Sequence, residues 1–185
     1  MQNMLENEIP PIKEETNLPA VRKARKLARV LIVYDSGTGN TEKMAFTVAE
    51  GAKQVSNVSV DVKKADQTTL EDLLSADAII MGSPTYYGQM SAKVKALVDK
   101  SIKVHGKLEG KVGAAFTSAG GTATGAETTL ISILNAMLIH GMIVQGRSDD
   151  KHYGAASVES PDDEESKFCR ELGERTASLV LKLKK

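Results

Sequence analysis

The chain has 185 residues, 41% of them hydrophobic, with 24 basic and 24 acidic side chains. That length fits one ordinary domain with room for a tail. The balanced charge gives no reason to expect nucleic acid as a partner and argues mildly against an acidic electron carrier that docks on basic proteins. The single cysteine, Cys169, excludes an intrachain disulfide, and no cluster has metal-ligand spacing. The apolar runs are too short to span a bilayer and no signal-peptide core precedes them, so the cytoplasm is the expected location.

Residues 1–28 read as an N-terminal arm, flexible or loosely docked. Pro10, Pro11 and Pro19 fall among Glu, Lys and Asn, and no period emerges before Val21. Arg22, Lys23, Arg25, Lys26 and Arg29 form a basic cluster that reads most simply as a short solvated helix leading into the domain at 29–185. Val30-Leu31-Ile32-Val33-Tyr34-Asp35 is a continuous apolar run, the mark of a strand buried on both faces. It ends in Ser36-Gly37-Thr38-Gly39-Asn40-Thr41, where a helical pattern begins, running to about Val55 with Met44, Val48 and Ala52 on one face. Two glycines let backbone N–H groups turn inward, three hydroxyls add donors, and the following helix offers free N–H groups with a positive dipole end. No lysine ends the loop, so it is not the nucleoside-triphosphate loop, and it is not Gly-x-Gly-x-x-Gly either; a terminal phosphomonoester held without a cationic side chain is expected.

Val58–Val62 alternates and reads as a second strand. Thr68 and Glu71 have capping-box spacing, which predicts a short helix through Leu70, Leu73 and Leu74. Ala78–Gly82 is a third strand, running into a loop with adjacent tyrosines, Tyr86 and Tyr87, and then a helix with Val94, Leu97 and Val98. Lys111–Thr117 is a fourth, followed by the small-residue loop 118–125 and a helix with Leu130, Ile133, Leu134, Met137 and Leu138 inward. That helix stops at His140-Gly141, a glycine C-cap, and Met142–Val144 is a fifth strand. Ser160-Pro161-Asp162-Asp163 predicts the start of the last helix, with a first-turn proline and acids where the dipole favours them, and Phe168, Leu172, Leu179 and Leu183 as its buried stripe. Cys169, beside that stripe, reads as an inert core residue, and His105 and His152 as surface residues.

Five alternations of strand and helix with short connections predict an α/β, doubly wound, five-stranded parallel sheet with helices on both faces. Ligands in such sheets sit outside the carboxyl ends of the strands, and the three unusual loops all lie there. Two tyrosines together, in a chain that is 4% aromatic, suit a flat conjugated ring. The bulk-free loop 118–125 lets a ring with carbonyl edges approach the main chain. A phosphate, a chain and a planar heteroaromatic ring together describe flavin mononucleotide (FMN).

Ser36 to Thr41 resembles the flavodoxin signature Thr/Ser-x-Thr-Gly-x-Thr in its place after the first strand. Gly82 to Ser91 resembles the Gly-Thr-Pro-Thr-Arg-Phe-Gly-Asn-Met run of WrbA-type NAD(P)H:quinone oxidoreductases. Ser118 to Gly125 with Glu127, His140-Gly141-Met142 and Tyr153-Gly154-Ala155 are similar to further motifs of that family. The resemblance covers about 29–185 and implies a flavodoxin-like sheet of order 2-1-3-4-5. Carried over, it implies that Ser36, Gly37, Thr38, Gly39, Asn40 and Thr41 hold the FMN phosphate. Pro84, Thr85, Tyr86, Tyr87 and Gly88 would line the ring and ribityl chain, and Ser118, Ala119, Gly120, Gly121 and Thr122 the pyrimidine edge. It further implies that His140 approaches the flavin, often from a neighbouring subunit of a dimer or tetramer. The implied activity passes electrons from NAD(P)H through FMN to a quinone or similar small acceptor. The phosphate loop lacks the aromatic and the histidine usual in those reductases, and the tryptophan that covers their substrate is absent. A flavodoxin-type one-electron carrier and a flavodoxin-fold scaffold therefore stand as alternatives.

Overall fold

A computed structural model describes residues 27–184. The arm and its basic cluster up to Lys26 lie outside the described residues. The first strand, β1 (Ala28–Tyr34), sets up two layers through its alternation. Ala28, Val30, Ile32 and Tyr34 face one side, where helices α1 (Asn40–Lys53) and α5 (Asp163–Leu183) cover them with Met44, Val48, Ala52, Cys169, Leu172 and Val180. Leu31 and Val33 face the other side, under Leu73 of α2 (Leu70–Ser75), Val94 and Leu97 of α3 (Ala92–Lys100), and Leu130 and Ile133 of α4 (Ala126–Ile139). Each fully buried large side chain contributes about 1.5–3 kcal/mol. A strand buried on both faces therefore needs the unbroken apolar run seen in the sequence.

Strands β2 (Val58–Lys64), β3 (Ala78–Pro84) and β4 (Val112–Ala119) join β1 in the order β2-β1-β3-β4, every pair parallel. The fifth position is filled by two pieces. β5 (Ile143–Val144) pairs with Val112 and Gly113, and β6 (Ala155–Val158) pairs with Phe116 to Ala119. The order 2-1-3-4-5 thus holds, but the predicted fifth strand supplies only two residues of its edge, and the rest comes from β6, for which the sequence carries only a weak strand signal. Strand order reverses between β1 and β3, so the switch point lies at their carboxyl ends.

Other local expectations shift. The cap of α2 is Thr69, whose hydroxyl accepts from Asp72 N–H while the Asp72 carboxylate accepts from Thr69 N–H. Thr68 is buried and its hydroxyl donates to the Lys64 carbonyl, closing the 3-10 turn before the helix. On α5 the cap is Asp162, paired reciprocally with Glu165, and Pro161 lies ahead of the helix instead of inside it. The buried stripe of α5 is Cys169, Leu172, Gly173, Thr176, Ala177 and Val180, while Leu183 is exposed, as is Leu138 on α4. Gly141, at φ 75°, ends α4 as predicted: Met142 N–H reaches Met137 O at 3.1 Å and Gly141 N–H reaches Leu138 O at 2.9 Å. Helices α1 and α5 cross at backbone distance, because a Cβ on Gly51 or Gly173 would lie 1.9 Å and 2.0 Å from the carbonyl oxygens of Arg170 and Val48. No helix among the described residues is long and apolar enough to cross a membrane.

Candidate cofactor cleft

The loops after β1, β3 and β4 meet over the switch point around an open cleft of about 440 Å³. Gly37, Thr38, Asn40, Thr41, Pro84, Thr85, Tyr86, Ser118, Ala119 and Gly120 line it, together with Glu159 and Ser160, which sequence reasoning missed. Of the remaining predicted residues, Ser36 and Gly39 form the turn behind the first loop, where the Ser36 hydroxyl accepts from Gly39 N–H at 3.0 Å. Tyr87, Gly88, Gly121 and Thr122 lie outside the lining. His140 is not brought to the cleft at all.

The first loop leaves its donors open. Helix α1 starts after Gly39, which is left-handed at φ 94° and supplies no side-chain cap, and its first helical bond is Lys43 N–H to Gly39 O at 2.9 Å. The N–H groups ahead of Lys43 have no intrahelical partner. Thr38, Asn40 and Thr41 make no side-chain hydrogen bond among the described residues, and no lysine or arginine is among the residues lining the cleft. Hydroxyls and main-chain donors at a helix start are the chemistry of a phosphate cradle.

The second loop is braced from below. Buried Ser83 accepts from Ser91 N–H at 2.8 Å, tying the loop to the cap of α3. Thr117 donates to Ser83 O at 2.7 Å, so at 2.9 Å it accepts from Thr85, and Thr85 N–H also reaches Ser118 O at 2.8 Å. Tyr86 and Gln89 exchange both backbone hydrogen bonds around Tyr87 (φ 52°) and Gly88 (φ 72°), a primed two-residue turn. Tyr86 reaches across the mouth so that a Cβ on Gly37 would sit 2.7 Å from its hydroxyl. Tyr87 is fully exposed at the tip, and the turn is seated on α4 where Gly88 meets Gly125.

The third loop contributes backbone and small side chains, and the end of β6 closes the wall beside it. Glu159 N–H donates to Ala119 O at 2.7 Å, and Ser118 donates to Glu159 O at 2.8 Å. Ala155 to Val158 is short and poor in large apolar residues, so the signal that would have placed its carboxyl end in the site is weak.

His140 caps the far end of the 14-residue α4, a helix about 20 Å long at a rise of 1.5 Å per residue, and is not among the residues lining the cleft. Ser101 donates to Val98 O at 2.6 Å, so the 2.7 Å contact of its oxygen with His140 Nε2 has the imidazole as donor. Nδ1 is then unprotonated, buried and without a partner among the described residues. Burial, with the nearby His105 ring adding to it, pushes the His140 pKa down.

The cleft fits FMN on its own evidence: its volume lies in the range of ligand pockets, one loop carries open donors at a helix start, and a bulk-free loop faces it. A family model described as NADPH-dependent FMN reductase matches residues 59–149. A flavodoxin from Aquifex aeolicus is 41% identical, covering 83% of this chain and 88% of that one. An NAD(P)H dehydrogenase (quinone) from Archaeoglobus fulgidus is 35% identical, covering 85% of this chain and all of that one. Among solved structures, the flavodoxin, WrbA-like protein of Agrobacterium tumefaciens superposes with a TM-score of 0.73 at 26% identity, over 84% of this chain and 98% of that one. The chain belongs to the flavodoxin-like, WrbA-type family of FMN-binding proteins.

Proposed function

We propose that this chain binds FMN in the cleft and passes electrons from NAD(P)H to a quinone or similar small acceptor. The observation that carries the reading is the uncapped start of α1, opening its main-chain donors into a cleft walled by the loops after β3 and β4. Ser36 to Thr41 take the phosphate, with Ser36 holding the turn through Gly39. Pro84 to Tyr86 flank the ring and Tyr86 covers the mouth, while Tyr87, on its exposed turn with Gly88, stands ready for an incoming flat molecule. Ser118 to Gly120 meet the pyrimidine edge, with Gly121 and Thr122 continuing the loop. Bound FMN would supply the hydride-accepting ring, and the residues here bind, orient and shield it. A flavin role for His140 belongs to a site in a second copy of the chain, since its own cleft is at the other end of α4.

The test is steady-state oxidation of NADH or NADPH by FMN-loaded protein with benzoquinone as acceptor. Sustained turnover is expected. A second reading, a flavodoxin-type carrier, is favoured by the phosphate loop and by the 41% identity to the Aquifex flavodoxin. Tight FMN binding with no NAD(P)H turnover would select it.

A further inference from the structure

Glu159 is held in an unusual way. Its φ is 56°, a conformation that residues other than glycine rarely adopt, and it sits on the wall of the cleft. Three hydrogen bonds hold it there: its N–H donates to Ala119 O at 2.7 Å, and its carbonyl accepts from Ser118 Oγ at 2.8 Å and Ser157 Oγ at 3.1 Å. The next two residues are tied in the opposite direction. Lys43, in the first turn of α1, donates to Ser160 Oγ at 3.3 Å and to Pro161 O at 2.8 Å. The segment 159–161 therefore spans from the third loop to the helix that begins at the first.

With the main chain committed, the Glu159 carboxylate is the group left over. It is exposed, makes no hydrogen bond or ion pair among the described residues, and is the one carboxylate among the residues lining the cleft. A carboxylate accepts hydrogen bonds and offers none. It has no use for a phosphate, but it suits a ligand segment rich in hydroxyl donors. If the phosphate lies at 36–41 and the ring edge at 118–120, the chain joining them crosses the ground between, where Glu159 and Ser160 stand. We propose that the Glu159 carboxylate accepts hydrogen bonds from the ribityl hydroxyls of the flavin, making the site selective for a polyhydroxylated chain. This rests on the FMN reading above.

The test is titration of the full-length protein with FMN, riboflavin and lumiflavin, followed by quenching of flavin fluorescence. Glu159→Ala and Glu159→Gly both lack the carboxylate, but alanine resists the left-handed backbone and glycine favours it. A lost charge-assisted hydrogen bond predicts that both variants weaken FMN and riboflavin alike, by about tenfold, with lumiflavin unchanged. Equal losses for lumiflavin, or a loss in the alanine variant alone, would make Glu159 a structural residue and overturn the proposal. Unchanged affinities, or tighter FMN with riboflavin unaltered, would overturn it as well, the second showing repulsion of the phosphate. Wild-type protein that binds none of the three flavins would sink the FMN reading itself, an outcome distinct from all of these.

Discussion

Helices α1 and α5 run side by side on one face of the sheet and start at the same edge, yet their first turns are opposites. The start of α5 is closed by the Asp162–Glu165 capping box and crowded with the acids Asp163 and Glu164. The start of α1 has a left-handed glycine, no side-chain cap and an open cleft before it. Both present the same orphan N–H groups and the same dipole. One chain thus treats two equivalent helix ends in two ways, satisfying one internally and leaving the other for a ligand. A binding site in this fold is recognised less by the groups present than by the groups not already paired.

Helices α1 and α5 lie at backbone contact. Gly173→Ala would drive a Cβ to 2.0 Å from Val48 O and 2.8 Å from Ala52 N, both backbone atoms that cannot step aside. Urea unfolding should show a loss of about 3 kcal/mol, the upper range for overpacking. Next, Thr38→Asp places a carboxylate before the open N–H groups of α1, imitating the closed end of α5. FMN affinity should fall about 100-fold through like-charge repulsion, with the unfolding midpoint not lowered. The mirror experiment is Asp162→Ala, which opens α5. It should cost about 1 kcal/mol of stability, and leave FMN affinity unchanged.

The smallest effect comes from His140 at the opposite edge. Its folded pKa is depressed by burial, so its contribution to stability is present above its unfolded value, near 6.5, and is lost as pH falls below it. The unfolded state binds the proton first in that window. Stability measured from pH 7.5 down to 5.5 should decline, and His140→Asn should flatten the decline.

Much of this was legible in residue order. The loops after β1, β3 and β4 stood out because small and hydroxyl residues interrupt apolar runs, and that same contrast places them at strand carboxyl ends. The sheet edge stood out only in part. Met142 to Val144 reads as a strand and Ile143-Val144 is one, but Ala155 to Val158 is too short and too small to show a period, and it is a strand because β4 offers it a backbone edge. Glu159 and Ser160 were missed with it. Thr69 and not Thr68 is the cap because of a local bond that residue types alone do not reveal, the Thr68 hydroxyl being taken by Lys64 O four residues earlier. His140 matched a motif, yet it ends α4 and so lies at the opposite edge of the sheet from the strand carboxyl ends.

The most direct test of the open helix end compares the affinities of the wild-type protein for FMN and riboflavin, which differ only in the phosphate. FMN is expected to bind at least about 100-fold more tightly, with inorganic phosphate competing for the difference. Equal affinities would show that the start of α1 does not hold the phosphate.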